Sequence, residues 1–163
     1  MTSNKSEDKG HELSWSGMQP KLQGKPFADY VETLLEKAKV QTMVVARDAV
    51  IFEEGDSGEC AYFISSGNVK IACKDNKGEQ RILAIVGPGE IFGEMALLDK
   101  NVRSASAIAA ESVVLYIIER DKVVQLMTEI PQLSMWMLNV MARRLRRMDR
   151  VIAQMVQVHD VNR

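Results

Sequence analysis

The sequence predicts a mainly β domain, an antiparallel barrel or jelly-roll-like sandwich, with flanking helices and a long C-terminal helix. Two observations predict this fold class. Over residues 42–119, short runs rich in Val, Ile, Tyr and Phe alternate with glycine-containing turns. On both sides of this region the apolar residues recur at helical spacing instead. With 163 residues, 46% of them apolar, the chain suits one compact domain with a substantial core.

The N-terminal part of the chain divides into an arm and a helix. Residues 1–25 are polar and charged and show no sustained period, which is typical of a flexible arm. The apolar residues that follow lie at helical spacing and predict an amphipathic helix over 26–40 that covers one side of the domain. We expect Pro26 at its first helical position, where the missing N–H costs no helical hydrogen bond.

Eight short apolar runs predict the strands of a β region over 42–119. These runs are 43–46, 50–52, 61–64, 69–73, 82–86, 91–92, 106–109 and 113–118. Glycine-containing segments such as 55–58 and 87–89 lie between them and supply tight turns. Short strands at this spacing are typical of antiparallel barrels and jelly rolls.

The last part of the chain predicts helices over 120–158. Asp121 is expected to cap the first helix, and Pro131 marks a break and a new start. Beyond Pro131 the apolar residues recur at intervals of three and four, at Leu138, Met141, Leu145, Met148, Ile152 and Met155. Because this heptad stripe continues for about five turns, we expect it to pair with a second copy, giving a homodimer through residues 138–155.

Charge and composition narrow the classes of function. The formal net charge of −1 provides no overall attraction to nucleic acid or to an anionic membrane. There is no secretory signal and no apolar run of roughly 18 residues, so we expect a cytoplasmic protein without membrane spans. Cys60 and Cys73 are too few and too far apart for a metal knuckle. No nucleophile–base pair is evident, so we expect neither catalysis nor a metal or other cofactor.

Residues 87–98, together with Arg103, have the layout of a small anion site. A Pro/Gly turn leads into a short apolar strand, and Gly93 and Glu94 then begin one or two turns of helix. The free N–H groups at a helix start attract phosphate, and glycine lets the backbone come close. Arg103 adds a planar fork of donors that matches phosphate oxygens. Glu94 fits another part of the same ligand, such as a sugar hydroxyl that donates to the carboxylate.

The combination of these residues is more specific than any one of them. Phe92-Gly93-Glu94-Met95-Ala96-Leu97 and Arg103-Ser104-Ala105-Ser106-Ala107 closely resemble the phosphate-binding cassette of the cyclic-nucleotide-binding domain. That family includes catabolite activator-type bacterial regulators, cyclic-nucleotide-dependent protein kinases and cyclic-nucleotide-gated channels. Residues 54–58 and 62–67 also resemble the second and third strands of the family's β-roll, a double-stranded β-helix.

This resemblance implies a role for each cassette residue. Arg103 would bind the cyclic phosphate, and Glu94 would accept the ribose 2′-hydroxyl. The other cassette residues implied at the ligand are Gly93, Met95 and Ala96, by close backbone approach, and Ser104 and Ala105, as donors that complete the phosphate shell. The ligand is therefore expected to be a cyclic mononucleotide, either cAMP or cGMP.

The residues that would meet the base are less well specified. The resemblance implies an apolar wall beside ribose and base, formed by Ile71, Leu83 and Ala84. In the bacterial regulators a polar residue on the long helix meets the adenine amino group, but this chain has Met148 there, on the heptad stripe. Arg144 is an alternative contact from the same helix. Ser104 is compatible with cAMP and with cGMP, and we favour cAMP.

As a whole, the resemblance implies a sensor that moves its C-terminal helices when a cyclic mononucleotide binds. Catabolite activator-type regulators continue from the long helix into a helix-turn-helix domain. We expect a stand-alone domain without one, which signals through an unidentified effector protein. The alternatives are a dimerisation module with an unoccupied pocket, a cyclic dinucleotide as the ligand, and nucleic-acid binding by the arginines of residues 143–150. The last of these is disfavoured, because a solvated helix face explains the arginines more simply.

Overall fold

The structure is a computed structural model that describes the backbone of residues 21–22 and 25–161 and the side-chain surroundings of residues 26–150 and Ala153. The strands in this part of the chain are β1 (Lys21–Leu22), β2 (Lys25–Pro26), β3 (Thr42–Val45), β4 (Val50–Phe52), β5 (Cys60–Ser66), β6 (Val69–Lys74), β7 (Gln80–Val86), β8 (Ile91–Phe92), β9 (Ser106–Ala109) and β10 (Val113–Glu119). The helices are α1 (Phe27–Lys37), α2 (Glu94–Asp99), α3 (Arg120–Glu129) and α4 (Pro131–Val161).

Two four-stranded antiparallel sheets form the body of the domain. Their strand orders are β3-β10-β5-β8 and β4-β9-β6-β7, and their facing sides enclose an apolar interior that includes Tyr62, Ile64, Phe92 and Leu115. Each of the eight predicted strands is present close to its predicted bounds. The predicted fold class is confirmed: a mainly β, jelly-roll-like β-roll with flanking helices and a long C-terminal helix.

A second apolar layer lies between the helices and the sheet that contains β5. Residues of β5 alternate, so that Tyr62 and Ile64 face the interior of the roll while Phe63 packs against the helices. The Trp136 ring of α4 lies 6.2 Å from Phe27 of α1 and 6.4 Å from Phe63, centroid to centroid. The first turns of α4 are therefore anchored to both α1 and the roll.

Three predicted helix boundaries are wrong. Helix α1 begins at Phe27, so Pro26 is its N-cap residue and not its first helical residue. It ends at Lys37 and does not reach residue 40, because Lys39 adopts a left-handed φ of 52° that stops the helix. Helix α3 begins at Arg120, and Asp121 lies in its first turn and does not cap it. The predicted break is present, since α4 begins at Pro131.

The ends of the chain depart from expectation where they are described. Strands β1 and β2 pair antiparallel where the sequence predicts a flexible arm, and only Pro26 of β2 lies beyond the predicted end of that arm. Residues 1–20 and 23–24 of that arm lie outside the described residues. Helix α4 continues to Val161, past the predicted end at 158.

Part of the predicted heptad stripe is open to solvent. On α4, the side chains of Leu138, Leu145 and Met148 are 59%, 60% and 61% exposed. Met141 differs, because it is half-buried and packs against the domain's own helix layer. The side chains of Ile152 and Met155 lie outside the described residues. In the described part of the stripe, Leu138, Leu145 and Met148 thus form an exposed apolar face, whereas Met141 is turned toward the core.

Candidate ligand-binding site

The site is built around Gly93, which joins β8 to α2. Gly93 has a φ of +73°, a conformation that side-chain-bearing residues adopt only at a cost. A Cβ at this position would lie 2.7 Å from Nη1 of Arg103. Glycine is therefore required twice, by the backbone conformation and by the approach of the arginine. The short helix α2 begins at Glu94, as the sequence predicted.

The Arg103 side chain is buried, at 4% exposure, and points into the roll. Its Nη1 donates to the carbonyl of Gly93 at 2.5 Å, and its Nη2 donates to the carbonyl of Cys60 at 2.7 Å. Its backbone is held by the glycine turn before β5, because its N–H donates to the Asp56 carbonyl and its own carbonyl accepts from Gly55. Both ends of this residue are consequently fixed before any ligand arrives.

Glu94, at 1% exposure, is the most deeply buried charged residue of the site. Its Oε1 forms an ion pair with Nη1 of Arg144, and Nη2 of Arg144 donates to the carbonyl of Ile91. Burial raises the pKa of Glu94 above its ordinary value, because the opposing charges of Arg144 and Arg103 offset the desolvation only in part. Arg144 comes from α4, so this ion pair links the cassette directly to the long helix.

Two buried polar atoms in this cluster have no hydrogen-bond partner. Among the side chains that the structure describes, Nε of Arg103 and Oε2 of Glu94 are the buried nitrogen and oxygen atoms left unpaired. Leaving such a group unpaired costs about 1–3 kcal/mol. One atom is a donor and the other an acceptor, and they belong to the residues that the sequence assigned to phosphate and to a sugar hydroxyl. The site thus fits a ligand that offers an anionic oxygen and a hydroxyl.

The remaining cassette residues are placed as follows. Ala96 and Ala105 are buried, whereas Met95 and Ser104 are exposed. Ala96 lies so close to the glycine turn that a Cβ on Gly58 would come within 2.2 Å of its methyl group. Gly58 therefore permits the close packing of the turn on α2, a role that the sequence alone did not reveal.

The structure brings together two of the three residues predicted for the apolar wall. Ile71 of β6 pairs directly with Ala84 of β7, and on its other side with Ala107 of β9. Leu83 is the extra residue of a β-bulge at this point, and it is 58% exposed. Ile71 therefore lies beside strand β9 of the cassette and Ala84 lies one strand further out, whereas Leu83 is turned toward solvent.

From the long helix, it is Arg144 that contacts the cassette. Met148 lies one turn further along α4 and is exposed. Arg144, which the sequence offered as an alternative contact, thus lies inside the site. The roles of Arg144 and Met148 toward the ligand stay predictions.

Three residues of the site were not found from the sequence: Phe52, Cys60 and Tyr62. The Phe52 ring lies under the Arg103 guanidinium, and Cys60 contributes a main-chain carbonyl. Burial, and to a smaller extent the hydrogen bond between the Tyr62 hydroxyl and the Cys60 sulfur, raise the pKa of Tyr62 to about 12. A carbonyl acceptor leaves no residue-type signature. The rings could have been found only from the strand register that places them beside Arg103.

Comparison with known proteins identifies this arrangement. The family model described as "Cyclic nucleotide-binding domain" matches residues 42–129, more than half of the chain. The chain belongs to the cyclic nucleotide-binding domain family. The match covers the whole β-roll, the cassette and α3.

One curated sequence and two sets of solved structures are similar to this domain. The chain is 41% identical over 99 residues to the Cyclic AMP receptor protein of Thermus thermophilus, a match covering 61% of this chain and 46% of that protein. The crystal structure of the Thermus thermophilus Catabolite Activator Protein superposes with a TM-score of 0.68 at 35% identity, over 77% of this chain and 59% of that one. An EAL enzyme, solved in cAMP-bound and cGMP-bound forms, gives a TM-score of 0.53 at 38% identity, over 74% and 32% of the two chains.

Each of these matches covers only part of the relative's own chain. The match spans about half the length of the Thermus receptor protein, at 46%. The shared part is thus the nucleotide-binding domain, whereas the activity of each whole protein belongs to that protein. None of the helices that the structure describes has both the length and the apolar composition of a membrane span.

The buried carboxyl of Glu94 predicts a pH-dependent stability. Because burial raises its folded-state pKa above that of the unfolded chain, this carboxyl favours folding at acidic pH, and the contribution is lost as pH rises through the raised pKa. Glu94→Gln removes this titration. We expect the unfolding free energy of the variant, relative to wild type, to increase from acidic to neutral pH.

Urea denaturation at a series of pH values measures this difference. Glu59→Gln is the matched control, because Glu59 is exposed and adjoins the same glycine turn. Stability curves of Glu94→Gln and wild type that run parallel over the whole pH range would contradict the prediction.

Proposed function

We propose that this domain is a cyclic mononucleotide sensor that prefers cAMP, binds it without catalysis and signals to an effector protein through its C-terminal helices. The observation that carries the proposal is the pair of unsatisfied buried atoms. Nε of Arg103 offers a donor to a cyclic phosphate oxygen, and Oε2 of Glu94 offers an acceptor to the ribose 2′-hydroxyl. One ligand that presents both groups would pair both atoms at once.

The ion pair between Glu94 and Arg144 supplies the coupling to the long helix. A ribose hydroxyl that donates to Glu94 would share the carboxylate charge that attracts Arg144. Because Arg144 lies on α4, this changes the attraction between the cassette and the long helix. The first turns of α4 are anchored through Trp136, and the helix begins after the break between α3 and Pro131. Nucleotide binding would therefore shift the equilibrium between positions of α4, and output depends on what that helix contacts.

Similarity in this part of the chain supports the proposed preference for cAMP. A relative named for cyclic AMP is 41% identical over 99 residues, which supports cAMP as the first ligand to test. The EAL enzyme with the same domain is solved with cAMP and with cGMP, which keeps cGMP as the second. We assign the protein to the cytoplasm, where the free thiols of Cys60 and Cys73 stay reduced.

A thermal-denaturation panel tests the proposal. The protein is heated with cAMP, cGMP, a cyclic dinucleotide or 5′-AMP, which keeps base, ribose and phosphate but opens the ring. A ligand that binds only the folded state at one hundred times its Kd stabilises it by about 2.7 kcal/mol. We expect the largest rise in Tm with cAMP and a much smaller one with 5′-AMP. No rise with any of the cyclic nucleotides would contradict the function, and the largest rise with a cyclic dinucleotide would contradict the ligand class.

A second role, homodimerisation through residues 138–155, is favoured by the exposed face of α4. Leu138, Leu145 and Met148 place three large apolar side chains in water on one helix. A continuous apolar stripe of this kind is stabilised when a partner helix covers it. We propose that a second copy of this chain does so, and that the dimer carries the signal from the nucleotide site.

A further inference from the structure

We propose that Phe52 is a positioning residue for Arg103, and that its ring fixes the tilt at which the guanidinium meets the ligand phosphate. This inference rests on the proposed function. The guanidinium carbon of Arg103 lies 4.2 Å from the centroid of the Phe52 ring. At this distance the positive charge is attracted by the electron-rich face of the ring. Tyr62 provides a second, more distant ring, at 5.8 Å.

The ring supplies a constraint that the hydrogen bonds of Arg103 do not. The carbonyls of Gly93 and Cys60 accept from Nη1 and Nη2, so they fix the outer edge of the planar guanidinium. In-plane bonds of this kind still allow the group to tilt about that edge. A ring stacked on one face prevents the tilt and keeps the unpaired Nε at a fixed height in the site.

The space around Gly93 shows how tightly this arrangement is packed. A Cβ on Gly93 would lie 2.7 Å from Nη1 of Arg103 and 3.3 Å from Cε1 of Phe52. The glycine, the guanidinium and the ring thus leave no room between them for even one methyl group. Moving the ring would therefore change the position of the guanidinium.

The fold gives the Phe52 ring its own support. Val50 pairs with Ile108 and Phe52 pairs with Ala107, which leaves Ile51 as the extra residue of a bulge in β4. Bulges commonly redirect the next side chain, and here that side chain joins an aromatic cluster. The Phe52 ring lies 5.8 Å from Tyr62 and 6.0 Å from Phe92, and those two rings stack at 5.2 Å.

Calorimetric titration with cAMP separates ring electronics from simple packing. Phe52→Leu keeps an apolar side chain without the aromatic face, and we expect about tenfold weaker binding, equivalent to about 1.4 kcal/mol. Phe52→Tyr keeps an electron-rich ring and should bind within about twofold of wild type. Trifluorophenylalanine at position 52 keeps the shape and the fold but weakens the negative face, so we expect it to lose several-fold in affinity.

Phe63→Leu is the matched control, because it makes the same change at a buried ring that packs against the helices and not against Arg103. It should lose far less affinity than Phe52→Leu, and thermal denaturation of each variant verifies folding. Wild-type affinity in the trifluorophenylalanine variant would overturn the inference, as would equal losses in Phe52→Leu and Phe63→Leu. If wild type itself binds neither cAMP nor cGMP, the proposed function fails, and this inference fails with it.

Discussion

Arg103→Ala is expected to weaken cAMP binding by about 100-fold or more. The substitution removes the buried guanidinium to which we assign the ligand phosphate, and hydrogen bonds to charged groups contribute about 1.5–3 kcal/mol each. Arg103→Lys keeps the charge but not the planar fork, so we expect it to recover only part of the loss. Calorimetric titration of both variants measures these effects.

The same substitution should also lower stability. It leaves the carbonyls of Gly93 and Cys60 without their donor, and each buried unpaired acceptor costs about 1–3 kcal/mol. Titrations must therefore be run below the Tm of the variant. Arg81→Ala serves as the control, because Arg81 is an exposed arginine in the β6–β7 hairpin. Binding by folded Arg103→Ala that equals that of Arg81→Ala would contradict the assignment of the phosphate site.

Leu145→Asp combined with Met148→Asp is expected to convert the proposed dimer to a monomer. Both side chains are exposed on the same face of α4, so the isolated domain should keep its fold. In the dimer, however, each carboxylate would lie in an apolar seam, where burial of an unpaired charge is strongly unfavourable. We expect the dimer Kd to rise by at least about 100-fold.

Sedimentation equilibrium measures this change directly. Val124→Asp is the matched control, because Val124 is equally exposed but lies on α3, outside residues 138–155. A wild-type chain that is monomeric at all concentrations would contradict the proposed dimer. So would a double variant that still dimerises like Val124→Asp. If dimer disruption abolishes signalling while Arg103→Ala leaves it intact, the domain acts as an interaction module whose pocket is not used.

Much of the fold could be predicted because it depends on local pattern. The strands follow from runs of β-branched and aromatic residues between glycine turns, a pattern that is contained within each short segment of the chain. The cassette could be predicted for a related reason. Gly93, Glu94 and Arg103 have chemical roles that no other residue types supply equally well.

The boundaries that were wrong depend on single backbone conformations. Helix α1 ends where Lys39 takes a positive φ, a conformation that lysine rarely adopts and that the sequence did not signal. Asp121 is a good capping residue, but Arg120 is already helical, so the cap position falls on Glu119. At these two points the observed backbone conformation differs from the local preference of the residue.

The rest of the site depends on contacts between distant segments. Arg144 reaches Glu94 because of the direction in which α4 crosses the roll, which periodicity along the helix does not define. Phe52 reaches Arg103 because of a bulge and a strand register. Cys60 contributes through its main chain, so its residue type carries no information. These contacts depend on how the helices and strands pack together. The sequence pattern predicts the helices and strands themselves but not their packing.

Calorimetric titration of the wild-type chain with cAMP is the decisive test of nucleotide binding at this site. We expect saturable binding with one nucleotide per chain, because each chain carries one Arg103–Glu94 pair of unsatisfied atoms. We also expect weaker binding of 5′-AMP, whose open phosphate presents a different geometry and charge to Arg103. The absence of heat with both cAMP and cGMP, in a chain shown by denaturation to be folded, would mean that the domain is not a cyclic mononucleotide sensor.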